Sequence, residues 1–242
     1  MLNHLKLSLE QSTLKKSDIK KLVDEIIDTS YFVDPLGRIR SNGGGWQSKC
    51  TNDNDYHGIK QYQAIVMQYI RGWIDEHNFM LKRYTLAMTG WFNINLKGHT
   101  NVPHIHVADP FIDGLSDIHR LRPHSMGDPS GDYYNKEGNV NQQIFAGTFY
   151  LQIPEDEEKS FYFMNSYPLY RFFNHDFGDY VEVKLGDTLI FPPNLYHGVA
   201  PNKSDQPRVS YSFNVEIVRP VAETEGFNPG GIMHDPLNNF KQ

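Results

Sequence analysis

Gly186-Asp-Thr-Leu-Ile-Phe-Pro-Pro-Asn-Leu-Tyr-His197-Gly-Val199 is the stretch on which the fold turns. Thr188 to Pro192 is apolar, carries β-branched and aromatic residues, and is stopped by a Pro-Pro-Asn cluster. It is too short for a helix and reads as a buried strand. His197 then falls at a strand end or rim. Working outward, Arg208 to Val218 is a longer strand downstream. Tyr84 to Leu96, Ile144 to Pro154, Ser160 to Met164 and Tyr180 to Lys184 are strands upstream, set apart by Gly, Pro, Asn and Asp.

Two helical patterns precede these strands. Ile19, Leu22, Val23, Ile26 and Ile27 recur at helical spacing from Ser17, and a second helix is expected from about Gly58 to Phe79. Its stripe of Ile59, Tyr62, Val66, Tyr69, Ile70 and Trp73 suits packing on a sheet. Short strands in series after two helices predict an all-β core with flanking helices, an antiparallel sandwich or jelly roll. One domain is expected over 1–242: helical support over 1–83, a core over 84–220 and a tail over 221–242. The polar segment 110–142 holds four Gly and three Pro between the core strands. Connections this long are commonly functional or disordered, and its position suits a lid.

Composition excludes several classes. A net charge of -6 gives no general grip on nucleic-acid phosphate, although a local basic patch is compatible with it. Cys50 stands alone, so neither an internal disulfide nor a thiolate-rich metal site can form. The N-terminal MLNHLKLSLE lacks the apolar run of a signal peptide, and no stretch reaches membrane-spanning length. A cytoplasmic protein is the expectation.

Eleven histidines are present, and most have no partner motif. His104 and His106 differ, because positions two apart on a strand send their side chains to the same side. His197 could complete one face of a metal site with them. Eleven residues beyond it, Arg208 and Ser210 share a face of their strand. A guanidinium matches the two oxygens of a carboxylate, and a serine can donate one more hydrogen bond. The set points to iron and a keto-acid cosubstrate.

These blocks carry a family resemblance. Gly186 to Val199 and Arg208-Val-Ser-Tyr-Ser-Phe-Asn214 resemble the C-terminal half of 2-oxoglutarate/Fe(II)-dependent oxygenases. The resemblance is closest to a family of marine bacteria and their phages within the prolyl-hydroxylase-like superfamily. Trp91-Phe-Asn-Ile-Asn95, Pro103-His-Ile-His106, Ala146-Gly-Thr-Phe-Tyr-Leu151 and Gly45-Trp-Gln-Ser48 resemble other blocks of that family in order. The resemblance covers residues 45 to 218. It implies a double-stranded β-helix, Fe(II), 2-oxoglutarate and molecular oxygen, with Arg208 and Ser210 holding the far carboxylate of the cosubstrate. Asn95, at the place of a cosubstrate-contacting Tyr in related hydroxylases, and Tyr150 are further cofactor-binding candidates.

The chain departs from the family's His-x-Asp/Glu…His pattern, since His106 stands where a carboxylate is expected. Three arrangements follow. His104, His106 and His197 can form an all-nitrogen face. Asp109 can supply the carboxylate beside one of the pair, or orient a ligand histidine from behind. Alternatively, His106 is the first ligand and Ala108 occupies the acid's place, a vacancy of the kind halogenases fill with chloride. Arg120 and Arg122, in the lid, are candidate substrate contacts. The implied activity is a dioxygenase that hydroxylates its substrate and releases succinate and CO2. Two rivals are a three-His cupin-type dioxygenase without 2-oxoglutarate and a non-catalytic jelly-roll module holding a structural metal.

Overall fold

Helix α1 (Lys16–Asp28) buries Ile19, Leu22, Val23 and Ile26, and runs into a single π turn at Thr29–Val33. Helix α2 (Ile59–His77) buries Ile59, Tyr62, Val66, Ile70 and Ile74. The buried positions in α2 are nearly every fourth residue, a narrower stripe than the sequence suggests. Tyr69 turns outward, 38% exposed, and Ile74 takes the inner line. The computed structural model describes residues 5–7, 15–38, 41–49, 56, 58–77, 82, 84–106, 142–164 and 179–220. The expected tail over 221–242, and the expected lid over 110–142 apart from its last residue, lie outside them. No described helix is long and apolar enough to cross a membrane.

Among the described residues, the strands form two antiparallel sheets. They are β1 (Leu5–Leu7), β2 (Asn42–Gly43), β3 (Trp46–Gln47), β4 (Tyr84–Asn95), β5 (Thr100–His104), β6 (Gln142–Gln152), β7 (Phe161–Phe163), β8 (Asp179–Val181), β9 (Thr188–Phe191), β10 (His197–Val199) and β11 (Arg208–Pro220). The larger sheet has the order β1-β9-β6-β11-β4-β3 and the smaller β2-β5-β10-β7-β8. Apart from β3 with β4 and β7 with β8, which pair within one sheet, sequence neighbours alternate between the sheets, as in a jelly roll. All the strands expected from the sequence are present. The short β1, β2, β3 and β10 were not expected, because two or three residues give no period to read, and His197, expected at the end or rim of the Thr188 strand, opens β10 in the other sheet.

The larger sheet has two unlike faces. Its outer face meets both helices through Phe92, Ile94, Phe149, Leu151, Ile190, Val209, Tyr211, Phe213 and Val215. Tyr62 stacks on Phe149 with ring centres 4.1 Å apart, and its hydroxyl bonds Thr188 Oγ1 at 3.0 Å. Phe213 pairs across the sheet with Gly90 on one side and Gly147 on the other. A Cβ at Gly147 would collide with the Phe213 ring, and one at Gly90 with the Tyr211 ring. Those glycines are what let the large rings lie flat on the sheet. The inner face looks into the space between the sheets, where Ala146, Tyr150, Phe161, Phe163, Leu189 and Phe191 form a second core. Polar groups occupy the rest of that space.

Candidate metal centre and cosubstrate pocket

β5 and β10 are direct neighbours, and His104 is the cross-strand partner of His197. Cross-strand partners point to the same face, so both rings enter the space between the sheets. β5 ends at His104, and His106 sits just beyond it, its N–H donated to Pro193 O. The turn does not divert it. The ring of His106 lies 5.0 Å from that of His104 and 5.0 Å from that of His197. One nitrogen from each of the three histidines lies within 4.8 Å of the other two.

The hydrogen bonds at the back of the rings decide what their fronts offer. His104 Nδ1 meets Val102 O at 2.8 Å and His197 Nδ1 meets Leu195 O at 2.8 Å. A carbonyl only accepts, so each Nδ1 carries a proton, and in the neutral ring Nε2 is then the atom that offers a lone pair to a metal. His106 Nδ1 meets Asn214 Oδ1 at 2.5 Å, which sets the same tautomer. His106 Nε2 and His197 Nε2 then lie 3.2 Å apart. Two lone pairs at that distance repel unless a cation lies between them. Two nitrogens each about 2.1 Å from one ion, at a right angle, stand about 3.0 Å apart. The set fits a first-row divalent metal, and Fe(II) with it.

An aromatic shell closes around the rings. Phe191 and Phe161 stand 4.6 Å and 5.6 Å from the His197 ring, and Trp91 lies 6.0 Å from His106. These side chains lower the local polarity and hold the imidazoles in place.

β11 runs from the metal cluster to the proposed cosubstrate anchor. Asn214, Ser212, Ser210 and Arg208 all face inward, and Ser210 and Ser212 line a pocket with the three histidines, Asn93, Asn101 and Thr148. Four strands contribute one polar rung: Gln47, Asn93, Ser210 and Tyr150 are successive cross-strand partners. Arg208 to Asn214 is six residues, about 20 Å of strand.

Arg208 is 3% exposed. Its Nη2 donates to Ala200 O at 2.9 Å, and its Nη1 lies 3.3 Å from Glu157 Oε2, in a buried ion pair. Burial pulls its pKa down, and Tyr150 and Glu157 oppose the change. The guanidinium stays charged regardless. Tyr150 is fully buried, and its hydroxyl has no hydrogen-bond partner among the described residues. Burial drives its pKa well above the usual phenol range, against a smaller downward pull from Arg208. An orphaned O–H next to a buried guanidinium is a donor set prepared for an anion. The residues present therefore fit the far carboxylate of 2-oxoglutarate.

Asn95 is placed differently. It lies opposite Arg208 in register, but its amide donates to Asn101 Oδ1 at 2.9 Å and its backbone carbonyl receives Asn202 Nδ2. Asn93, two residues earlier, is the one that lines the pocket. Asp109, Arg120 and Arg122 lie outside the described residues. Sequence reasoning passed over Asn214 and Glu157. Asn214 continues the two-residue period of Arg208, Ser210 and Ser212, a signal that was available. Glu157 sits in the acidic run Glu155 to Glu158, which reads as a solvated turn.

Residues 117–214 match the family model described as "Putative 2OG-Fe(II) oxygenase". The match takes in His197, Arg208 and Ser210, while His104 and His106 precede it. No curated protein sequence matches the chain. Among solved structures, a prolyl-4-hydroxylase of Pseudomonas putida superposes with a TM-score of 0.55 at 14% identity, over 89% of this chain and 93% of that one. The viral collagen prolyl hydroxylase of Paramecium Bursaria Chlorella virus-1, in complex with 2OG, gives 0.52 at 13% identity, over 89% and 97%. At these identities the likeness speaks for the fold, a double-stranded β-helix.

Proposed function

We propose that this chain is a 2-oxoglutarate/Fe(II)-dependent dioxygenase, a reading that the family match over residues 117–214 supports, and that it hydroxylates a C–H bond of its substrate and releases succinate and CO2. The observation that carries the reading is the convergence of three imidazoles whose Nδ1 atoms are all engaged from behind. Iron(II), 2-oxoglutarate and oxygen supply the oxidative chemistry when bound, and the protein's share is binding and orientation. In this reading His104, His106 and His197 hold the iron as neutral ligands. Asn214 and the carbonyls of Val102 and Leu195 keep each ring in the ligating tautomer. Arg208, Tyr150 and Ser210 hold the far carboxylate, and Phe161, Phe191 and Trp91 keep bulk water from the metal face.

The all-nitrogen face is the arrangement favoured by the geometry, since the three rings already meet without a carboxylate among the described residues. The absence of charge on three imidazoles leaves the full double charge of the ion to attract an anionic keto acid. The cupin-type alternative needs no guanidinium behind the metal, so Arg208 separates the two. With Arg208→Ala, succinate formation under Fe(II), 2-oxoglutarate and air is expected to fall about 100-fold or more. That matches the loss of one charge-assisted contact, about 3 kcal/mol. Iron binding, read by equilibrium dialysis, is expected to persist. Unchanged succinate formation in Arg208→Ala would overturn the cosubstrate assignment.

A further inference from the structure

Glu157 is a buried charged group, in contact with Arg208, that the proposed chemistry leaves unused. It lies in the turn between β6 and β7, where its N–H bonds Pro154 O and Asp156 adopts a positive φ of 68°. One carboxylate oxygen accepts the Lys203 N–H at 2.9 Å, and the other faces Arg208 Nη1 at 3.3 Å. Both partners of the ion pair are almost fully buried, 3% and 6% exposed at their side chains. The same Arg208 reaches Ala200 O, so Glu157 and Arg208 together tie the 200–203 segment to the end of β11.

We infer that Glu157 is a positioning residue that holds the Arg208 guanidinium in place and competes, as a resident anion, with the incoming dicarboxylate for its charge. The inference rests on the cosubstrate reading given above. A buried guanidinium without a counter-charge is costly, and Glu157 removes that cost while the pocket is empty. The arriving carboxylate then meets a cation already partly neutralised and a like charge behind it. Affinity for the cosubstrate is therefore set below what Arg208 alone would give, in exchange for a pocket that stays organised without ligand.

The test is Glu157→Gln, which keeps the shape and an accepting oxygen while removing the charge. Binding is read by calorimetry and thermal shift on Fe(II)-loaded protein without oxygen. Two ligands are compared: 2-oxoglutarate, and 2-oxobutanoate, a keto acid without the far carboxylate. The variant should melt lower when empty, bind 2-oxoglutarate roughly tenfold more tightly, show a larger melting shift on adding it, and leave 2-oxobutanoate affinity unchanged. Equal or weaker 2-oxoglutarate binding, or an equal gain for both ligands, would overturn the inference. Wild-type protein that ignores 2-oxoglutarate would remove the underlying reading, and this one with it. Should Glu157→Gln fail to fold, the double variant Glu157→Gln/Arg208→Gln decides, because it buries no charge. Recovery of folding supports the counter-charge role, and continued misfolding contradicts it.

Discussion

The two faces of β11 differ in kind: one is apolar and packs on the helices, the other is polar and faces the space between the sheets. Val209, Tyr211, Phe213 and Val215 look outward into a core shared with both helices. Arg208, Ser210, Ser212 and Asn214 look inward: Ser210 and Ser212 line the pocket with the three histidines, Asn214 meets His106, and Arg208 meets Glu157 and Ala200. The pleat alone separates them, one residue apart. One face carries folding energy and the other carries chemistry, so a register slip of a single residue would exchange the two and destroy both. The strand is held against such a slip by long pairings on either side, with β4 and β6.

This division can be broken experimentally, and the largest effect belongs to the inner side. His197→Ala should lower iron affinity by more than about 100-fold, beyond the range typical of a group behind a ligand. Succinate formation should fall to background while circular dichroism stays native. On the outer side, Phe213→Ala should cost about 3–5 kcal/mol of stability. Its flanking glycines have no side chains to fill the void. Urea unfolding measures the loss, and protein still folded should bind iron normally. An iron defect in folded Phe213→Ala would show that the two faces are not separable.

Asn214→Ala sharpens the boundary, because its side chain touches His106, a proposed ligand, from behind. Iron affinity should fall about 10- to 100-fold, measured by competition with a chelator, with little change in melting temperature. The smallest effect concerns alkaline stability. Burial pushes the pKa of Tyr62 up, with the Thr188 hydrogen bond a weaker opposing cause. The unfolded chain therefore loses this proton near pH 10, before the folded one does. Stability present below about pH 10 should decline as pH rises further. Tyr62→Phe should cost about 1 kcal/mol at pH 8 through the lost hydrogen bond. Its urea midpoint should then fall less steeply than that of the wild type between pH 10 and 11.

Much of this arrangement was legible in the residues. Strands β4, β6, β7, β8, β9 and β11 announced themselves by β-branched and aromatic content between turn residues. The histidines that converge are the ones whose spacing set them apart. What failed to show had physical causes. Leu5–Leu7 forms an edge strand against β9, but three residues carry no period. Tyr69 lies at the margin of the α2 stripe, where a small rotation decides burial. Glu157 is indistinguishable in sequence from its acidic neighbours, because burial there depends on a cation fifty-one residues downstream.

The most direct test of the central claim is an anaerobic titration of the wild-type chain with Fe(II), with and without 2-oxoglutarate, followed by visible absorption. One iron per chain should bind, and a weak charge-transfer band should grow only when both are present. A solution that stays colourless with both, or iron uptake unaffected by replacing His197, would contradict the account.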